Sequence, residues 1–294
     1  MIFVTGIHRS GSTFLGKIIS HHSKVKYIHE PFNLEFPKVK KPITYWYHYI
    51  DSNTPKVRQI EFIEYINSFY KLDIKSIQLN YARSRSLKQY LKTTLELASR
   101  YRKKIPLIKD PIALMSTEWI YQNFHPKIIV SIRHPAAFIA SIKVKNWEFD
   151  FKNLQLQGEF VETKLNKYKN QIDKYVETPP DIIEQGILIW NIVHDIIYEY
   201  QKKYKEWYFI KNEDISLNPL LEYEKIFKFL ELDLNEKIRK EIIDSTTSSR
   251  PGKLKRNSKE NIKSWKKRLT EEEINNIKSK TKPIWEKFYT EKDW

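Results

Sequence analysis

Within five residues, Arg9, Ser10, Gly11, Ser12 and Thr13 bring together a cation, a glycine and three hydroxyls. The chemistry open to such a group is the holding of an oxyanion. A short apolar run, Ile2 to Val4, reads as a buried strand, and the apolar pattern resumes at Phe14, Leu15, Ile18 and Ile19 with helical spacing. A strand that passes through a glycine loop into a helix N-terminus points unpaired backbone N–H groups and a positive dipole end at one place. Gly6, four residues, Gly11 and then Ser12-Thr13 follow the spacing of a P-loop, except that Ser12 stands where the lysine belongs. Nucleotide hydrolysis uses that lysine on the β and γ phosphates, so its replacement argues against such chemistry. The plain alternative is a turn that binds nothing.

Further polar groups stand where strands should end. Val25 to Ile28 reads as a second strand and runs into His29-Glu30-Pro31, which places Glu30 where a catalytic carboxylate is expected, although a surface or capping acid fits the same pattern. Pro106 to Ile108 reads as a third strand ending in Lys109-Asp110-Pro111. Lys127 to Ile132 reads as a fourth, ending in Arg133-His134-Pro135. A Walker B strand would end in aspartate to hold magnesium, whereas this one ends in arginine. Arg133 at a strand end and Ser141 two turns into the next helix can meet on one phosphate, which a guanidinium matches bidentately. His29 has no histidine or carboxylate partner at metal-ligand spacing, and no metal is expected.

These strand ends need a scaffold. The chain is expected to form an α/β fold with a P-loop-type central parallel sheet of about five strands flanked by helices, as one domain over residues 1–294. The fifth strand is Trp207 to Ile210, followed by Asn212-Glu213-Asp214. Residues 34–104 read as a helical and irregular insertion, with helices near 60–70 and 87–101. Its Tyr45, Trp46, Tyr47 and Tyr49 could stack on sugar rings or simply pack on the sheet. Residues 152–175 are expected to form a lid or acceptor-contacting helix, 182–205 a long helix, and the chain after Thr270 a last helix packed down by Trp285 and Phe288. A net charge of +16 favours anionic partners, but the lysines are spread along the chain and read mostly as a solvated surface; no nucleic acid partner is expected. With no cysteine, disulfides and thiolate chemistry are excluded. A first strand at residue 2 leaves no room for a signal peptide, and no apolar run spans a membrane, so a cytoplasmic protein without stable membrane insertion is expected.

Three features in this order, namely the Arg9 to Thr13 loop, the Arg133 to Ser141 spacing and the Asn257 to Leu269 stretch around Trp265-Lys266, resemble the sulfotransferase family that uses 3′-phosphoadenosine 5′-phosphosulfate (PAPS). The resemblance covers residue 2 to about residue 270. It implies that His8, Arg9, Ser10, Gly11, Ser12, Thr13 and Phe14 hold the 5′-phosphosulfate, and that Arg133, Ser141 and one basic residue of the 250–266 loop hold the 3′-phosphate. Arg256 is the first choice there, with Lys255 and Lys259 as equals. Lys109 matches a lysine of cytosolic members, but the histidine base that follows it in them is Pro111 here. The resemblance to the glycan and protein-tyrosine branches makes Glu30 the expected base, with Asp110 second, and Arg9 and Lys109 as cations on the leaving phosphate. His8 could touch the bridging oxygen. Asn212 stands in place of the family's tyrosine, and Glu213 reads as a structural acid. The expected reaction moves a sulfuryl group to a hydroxyl acceptor, preferably a carbohydrate or glycolipid, with the sites near Arg9 and Arg133 a nucleoside's length apart. A kinase-like phosphotransferase and a non-enzymatic polyanion binder are the rivals.

Overall fold

In the computed structural model of the chain, residues 1–35, 41–71, 74–84, 86–101, 105–246 and 262–294 are described. Strand β1 (Ile2–Gly6) leads through the glycine loop into helix α1 (Ser12–Ser20), and β2 (Val25–His29) follows. Next come α2 (Lys56–Asn67), α3 (Ile74–Arg83) and α4 (Leu87–Tyr101). Strand β3 (Ile105–Lys109), a 3-10 turn (Ile112–Ser116) and α5 (Thr117–Phe124) precede β4 (Lys127–Ile132) and α6 (Pro135–Lys145). Three short helices, α7 (Lys152–Gln155), α8 (Gly158–Lys164) and α9 (Lys169–Glu177), lead to the long α10 (Ile182–Lys203). Strand β5 (Tyr208–Lys211) is followed by α11 (Asn212–Leu217), α12 (Pro219–Leu230), α13 (Glu236–Thr246) and α14 (Glu271–Trp285).

The five strands form one parallel sheet in the order β2-β3-β1-β4-β5. Side chains alternate across it. Phe3, Ile128 and Val130 enter the core on one face, and Ile2, Val4 and Ile129 enter the core on the other. Both faces are therefore covered, as a parallel sheet requires, and each fully buried aliphatic side chain contributes about 1.5–3 kcal/mol of transfer free energy. The first face receives α6, α10 and α14, and the second receives α1, α12 and α13. Order reverses on either side of β1, so the crevice beyond its carboxyl end is the switch point where such sheets bind ligands.

Start signals act where the chain needs them. Pro135 opens α6 with a preset φ, Asp181 caps α10 by accepting from two backbone N–H groups, and Thr270 with Glu273 forms a capping box on α14. The expected helix at 87–101 is found. The one expected at 60–70 begins at Lys56, directly after Pro55, and α3 between them was not anticipated. Residues 152–175 are not one helix over a cleft. Leu154, Phe160, Val161, Leu165 and Ile172 drive α7 to α9 into the core instead. This block serves as a shelf: Asn153 accepts from the Trp46 N–H (2.9 Å), and Gln157 accepts from the Tyr49 N–H (2.7 Å) and donates to the Tyr47 carbonyl (3.2 Å).

Candidate active site

The glycine loop is shaped by contacts distant in sequence. Gly6 lies so close to β4 that a Cβ there would come within 2.2 Å of the Ser131 carbonyl oxygen. The Ser131 hydroxyl in turn donates to the Ser10 carbonyl (2.9 Å). Gly11 has φ +86, and a Cβ on it would fall 2.0 Å from the Asn212 side-chain nitrogen. Asn212 thus packs against the loop at the N-terminus of α1, where no side chain caps the first turn. Uncapped N–H groups and the helix dipole there favour an anion. Gly11→Ala is expected to lower stability by about 1–3 kcal/mol, through the positive φ and the collision with Asn212 together. Urea unfolding of the two proteins measures it, and an unchanged midpoint would contradict this geometry.

The loop opens on a cleft of about 400 Å³, within the range of small-ligand sites. Its floor is His8, Arg9, Gly11, Ser12, Thr13 and Phe14. Its sides are Glu30, Asn33 and Glu35 after β2, Pro111 and Ile112 after β3, Arg133 after β4, and Trp46 with Trp147 at the rim. Backbone ties hold the strand ends in step: the Glu30 N–H donates to the Lys109 carbonyl (2.9 Å) and the Asp110 N–H to the Val4 carbonyl (2.8 Å).

Among the described residues, six other than glycine have φ between +41 and +65. His125, Asn146 and Glu231 are helix C-caps, where that conformation is routine. The other three are Arg9 and Glu30 in the cleft wall and Tyr47 directly behind it. Outside the helix C-caps, the backbone strain of the described residues is thus at the cleft, as it is at functional sites.

Glu30 and Lys109 form an ion pair, and the Asn33 amide donates to the other Glu30 oxygen (2.7 Å). Burial works against the Glu30 charge, but the Lys109 ammonium and these hydrogen bonds overcome it and hold the carboxyl below its usual range. Lys109 is wholly buried and lies behind Glu30, outside the cleft wall, so its immediate partner is this carboxylate. Lys109→Met is expected to cost about 3–5 kcal/mol, because it strands a largely buried carboxylate. Adding Glu30→Gln should recover most of that loss, and additive losses in thermal unfolding would contradict the pairing.

Asp110 sits deeper still. Its carboxylate accepts from the backbone N–H groups of Phe32 (2.6 Å), Ile112 (3.0 Å) and Ala113 (3.2 Å). Burial pushes its pKa up to about 7. It is fully buried and forms no part of the cleft wall, so the placement expected for an alternative base is not found; Asp110 fastens the turn after Glu30 to the turn after β3.

His8 packs edge-on to Phe138 and beside Trp147, and its Nδ1 lies 2.7 Å from the Tyr47 hydroxyl. That hydroxyl also accepts from the His8 backbone N–H (3.3 Å). The Tyr47 hydroxyl thus binds both the backbone and the ring of His8 and fixes the orientation of the imidazole. Burial, with Arg9 adding to it, pushes the His8 pKa down to about 3, so the imidazole is neutral.

Arg9 and Ser141 do not stand in two separated pockets. The Arg9 Nε donates to the Ser141 hydroxyl (3.0 Å), and the Arg133 guanidinium donates to the Arg9 carbonyl. The reason is the left-handed backbone of Arg9, at φ 65, which goes with a side chain turned toward α6. Arg133 is itself anchored: Trp190 donates to its carbonyl (2.9 Å), and half-buried Glu213 accepts from the His134 N–H (3.1 Å) and the Tyr289 hydroxyl (3.0 Å). Glu213 is thus the structural acid expected. Trp265 stacks on His134 beside this network. Ser10 is buried under the loop and outside the cleft wall. Arg256, Lys255 and Lys259 lie outside the described residues.

Sequence reasoning missed Tyr47 as the partner of His8, Asn212 as the loop's packing partner, and Asn33, Glu35 and Trp147 as cleft residues. Only the aromatic cluster at 45–49 gave a signal.

Residues 2–236 match the family described as the sulfotransferase family. The chain belongs to the sulfotransferase family. Among solved structures, the sulfotransferase domain of the Synechococcus PCC 7002 olefin synthase shares 14% identity at a TM-score of 0.52, covering 99% of this chain and 94% of that one. The sulfotransferase domain from the curacin biosynthetic pathway shares 16% identity at a TM-score of 0.49, over 96% and 97% of the two chains. Mouse sulfotransferase SULT7A1, solved with PAP, shares 12% identity at a TM-score of 0.49, over 97% and 84%. No curated protein matches the chain. The sulfotransferase's parallel sheet agrees with the expected fold. Among the described residues no group of three or more His, Cys, Asp or Glu is placed to hold a metal, and no helix is long and apolar enough to cross a membrane.

Proposed function

We propose that this sulfotransferase moves the sulfuryl group of PAPS to a hydroxyl acceptor, and that the acceptor is a carbohydrate or glycolipid. The observation that carries this reading is the convergence of the uncapped α1 loop, Glu30 and Arg133 on one cleft at the sheet's switch point. The residues fit the donor: the first turn of α1, which no side chain caps, opens on the cleft at Gly11, Ser12 and Thr13, and Arg9 and Arg133 supply two cations at the same wall.

PAPS supplies an activated sulfuryl group on a phosphate leaving group. The N–H groups of the α1 loop and Arg9 bind its 5′ end. Arg133, with a basic residue of the 250–266 loop, would hold its 3′-phosphate, while Ser141, buried and outside the cleft wall, holds the Arg9 side chain in place. His8, which lines the cleft as a neutral imidazole, would donate to the transferring group from Nε2 in the tautomer whose Nδ1 accepts from Tyr47. Glu30 accepts the proton of the acceptor hydroxyl, and Lys109 holds that carboxylate oriented and ionised. If the Lys109 contact loosens, burial is opposed only by the weaker effects of Asn33 and His29, and Glu30 becomes a stronger base. Trp46 and Trp147, set edge to face at 5.7 Å on the rim, offer apolar faces to a sugar ring, and Glu35 and Asn33 offer hydrogen bonds to its hydroxyls.

A thermal-shift comparison tests the reading. Stabilisation by 3′,5′-bisphosphoadenosine well above that by AMP, or by ATP with magnesium, is the expected result. Equal shifts from all three would refute it and favour a general polyanion binder, whose binding falls steeply with salt.

A further inference from the structure

We propose that the pair α3 and α4 is a docking surface for an anionic lipid membrane. Thirteen large apolar side chains are exposed among the described residues, and five of them, Ile74, Tyr81, Leu87, Leu91 and Leu95, belong to these two helices. On α4 the three leucines recur at intervals of four residues, so they form one stripe along the helix. They are 70%, 53% and 71% exposed. Exposed Lys88 and Lys92 follow the first two leucines and border the stripe.

Charge decides what covers this face. Residues 71–104 contain ten Lys and Arg against two Asp and Glu, a surplus of +8 in a chain whose total is +16. An isologous contact with a second copy would bring two copies of the same lysine-bordered face together, which like-charge repulsion opposes. A leucine stripe edged by lysines on a surface helix has the make-up of an interfacial amphipathic helix, whose apolar side enters the headgroup boundary while its cations meet anionic lipid. Tyr81 and Tyr90 meet edge-on at 5.3 Å and join the two helices. Through α2, whose Tyr65 hydroxyl donates to the Pro31 carbonyl (2.7 Å), the surface connects to the segment beside Glu30. Docking there would set the acceptor side of the cleft near the bilayer.

Flotation of the full chain with vesicles tests the proposal. Binding is expected to vesicles containing about 30% phosphatidylserine at ~0.1 M salt, and not to pure phosphatidylcholine. The triple change Leu87→Ser, Leu91→Ser, Leu95→Ser and the double change Lys88→Glu, Lys92→Glu should each weaken it about tenfold or more. The double change removes only exposed charges, so it keeps the test decisive if the leucine variant fails to fold. Absence of wild-type binding, or wild-type binding by the charge variant, overturns the proposal. So does a leucine-dependent dimer in light scattering with vesicle binding unaffected, which makes the face an interface between copies. Leucine-dependent binding of polyglutamate without vesicle binding overturns it in favour of an acidic protein partner.

Discussion

Glu30→Gln is expected to reduce sulfuryl transfer by about 10²–10⁴-fold while leaving 3′,5′-bisphosphoadenosine binding within a few-fold of wild type. Its carboxylate is the acid group in the cleft wall that is fixed from both sides, by Lys109 on one oxygen and Asn33 on the other. Its φ of 41 holds it off the end of β2, and the Asp110 carboxylate fastens the following turn. Gln preserves size and one acceptor oxygen but cannot take a proton. The acid limb of kcat/KM supplies a second readout. Because Lys109 holds Glu30 below the usual carboxylate range, wild-type activity should persist down to that depressed pKa, and Lys109→Met should move the limb to higher pH. Near wild-type transfer by Glu30→Gln would exclude Glu30 as the base. Asp110 would inherit the role only if the turns it now fastens came apart.

Lowering the pH from 7 to 5 is expected to cost the fold about 5 kcal/mol through four buried histidines and Asp110, a large part of the stability of a typical protein. Burial pushes the pKa of His8, His134 and His194 down to about 3 and that of His48 to about 4, with Arg9 adding to the effect at His8 and Arg58 at His48. These groups bind protons only when the chain unfolds. Their stabilisation is complete above the unfolded value near 6.5 and is lost as pH falls toward the folded values, at about 2 kcal/mol each between pH 7 and 5. Asp110 acts in the opposite sense: its raised pKa lets the folded state take up a proton first, returning about 2 kcal/mol over the same interval. Urea unfolding at the two pH values measures the sum. Equal stability at pH 7 and 5 would mean that these imidazoles are solvated or paired.

The parts of the sulfotransferase that could be read from sequence are those written in local patterns. Apolar runs such as Lys127 to Ile132 mark strands buried on both faces, and glycine and proline beside them mark where each run stops. The residues at those stops, Arg9, Glu30 and Arg133, do reach one cleft, because a parallel sheet delivers all its carboxyl ends to one edge. Partners could not be read, since partnership is set by packing between distant segments. Nothing local ties Tyr47 to His8 across 39 positions, or Asn212 to Gly11, and Lys109 could as well have paired with its neighbour Asp110 as with Glu30. The lid expected at residues 152–175 failed for a related reason. Its apolar positions are spaced for three short helices, and burial of Phe160 and Ile172 outweighed any pull toward the cleft.

Arg133 bears on all of this, since the proposed reading gives the arginine at the end of β4 the task of distinguishing a donor with a 3′-phosphate from one without. The most direct measurement is calorimetric titration of wild type and Arg133→Ala with 3′,5′-bisphosphoadenosine and with AMP. Wild type should prefer the bisphosphate by at least about tenfold, and the variant should lose that preference while binding AMP unchanged, a difference of about 1.4 kcal/mol or more carried by one guanidinium. Equal affinities for the two nucleotides in wild type, or a preference that survives the loss of Arg133, would contradict the assignment of this cleft to PAPS.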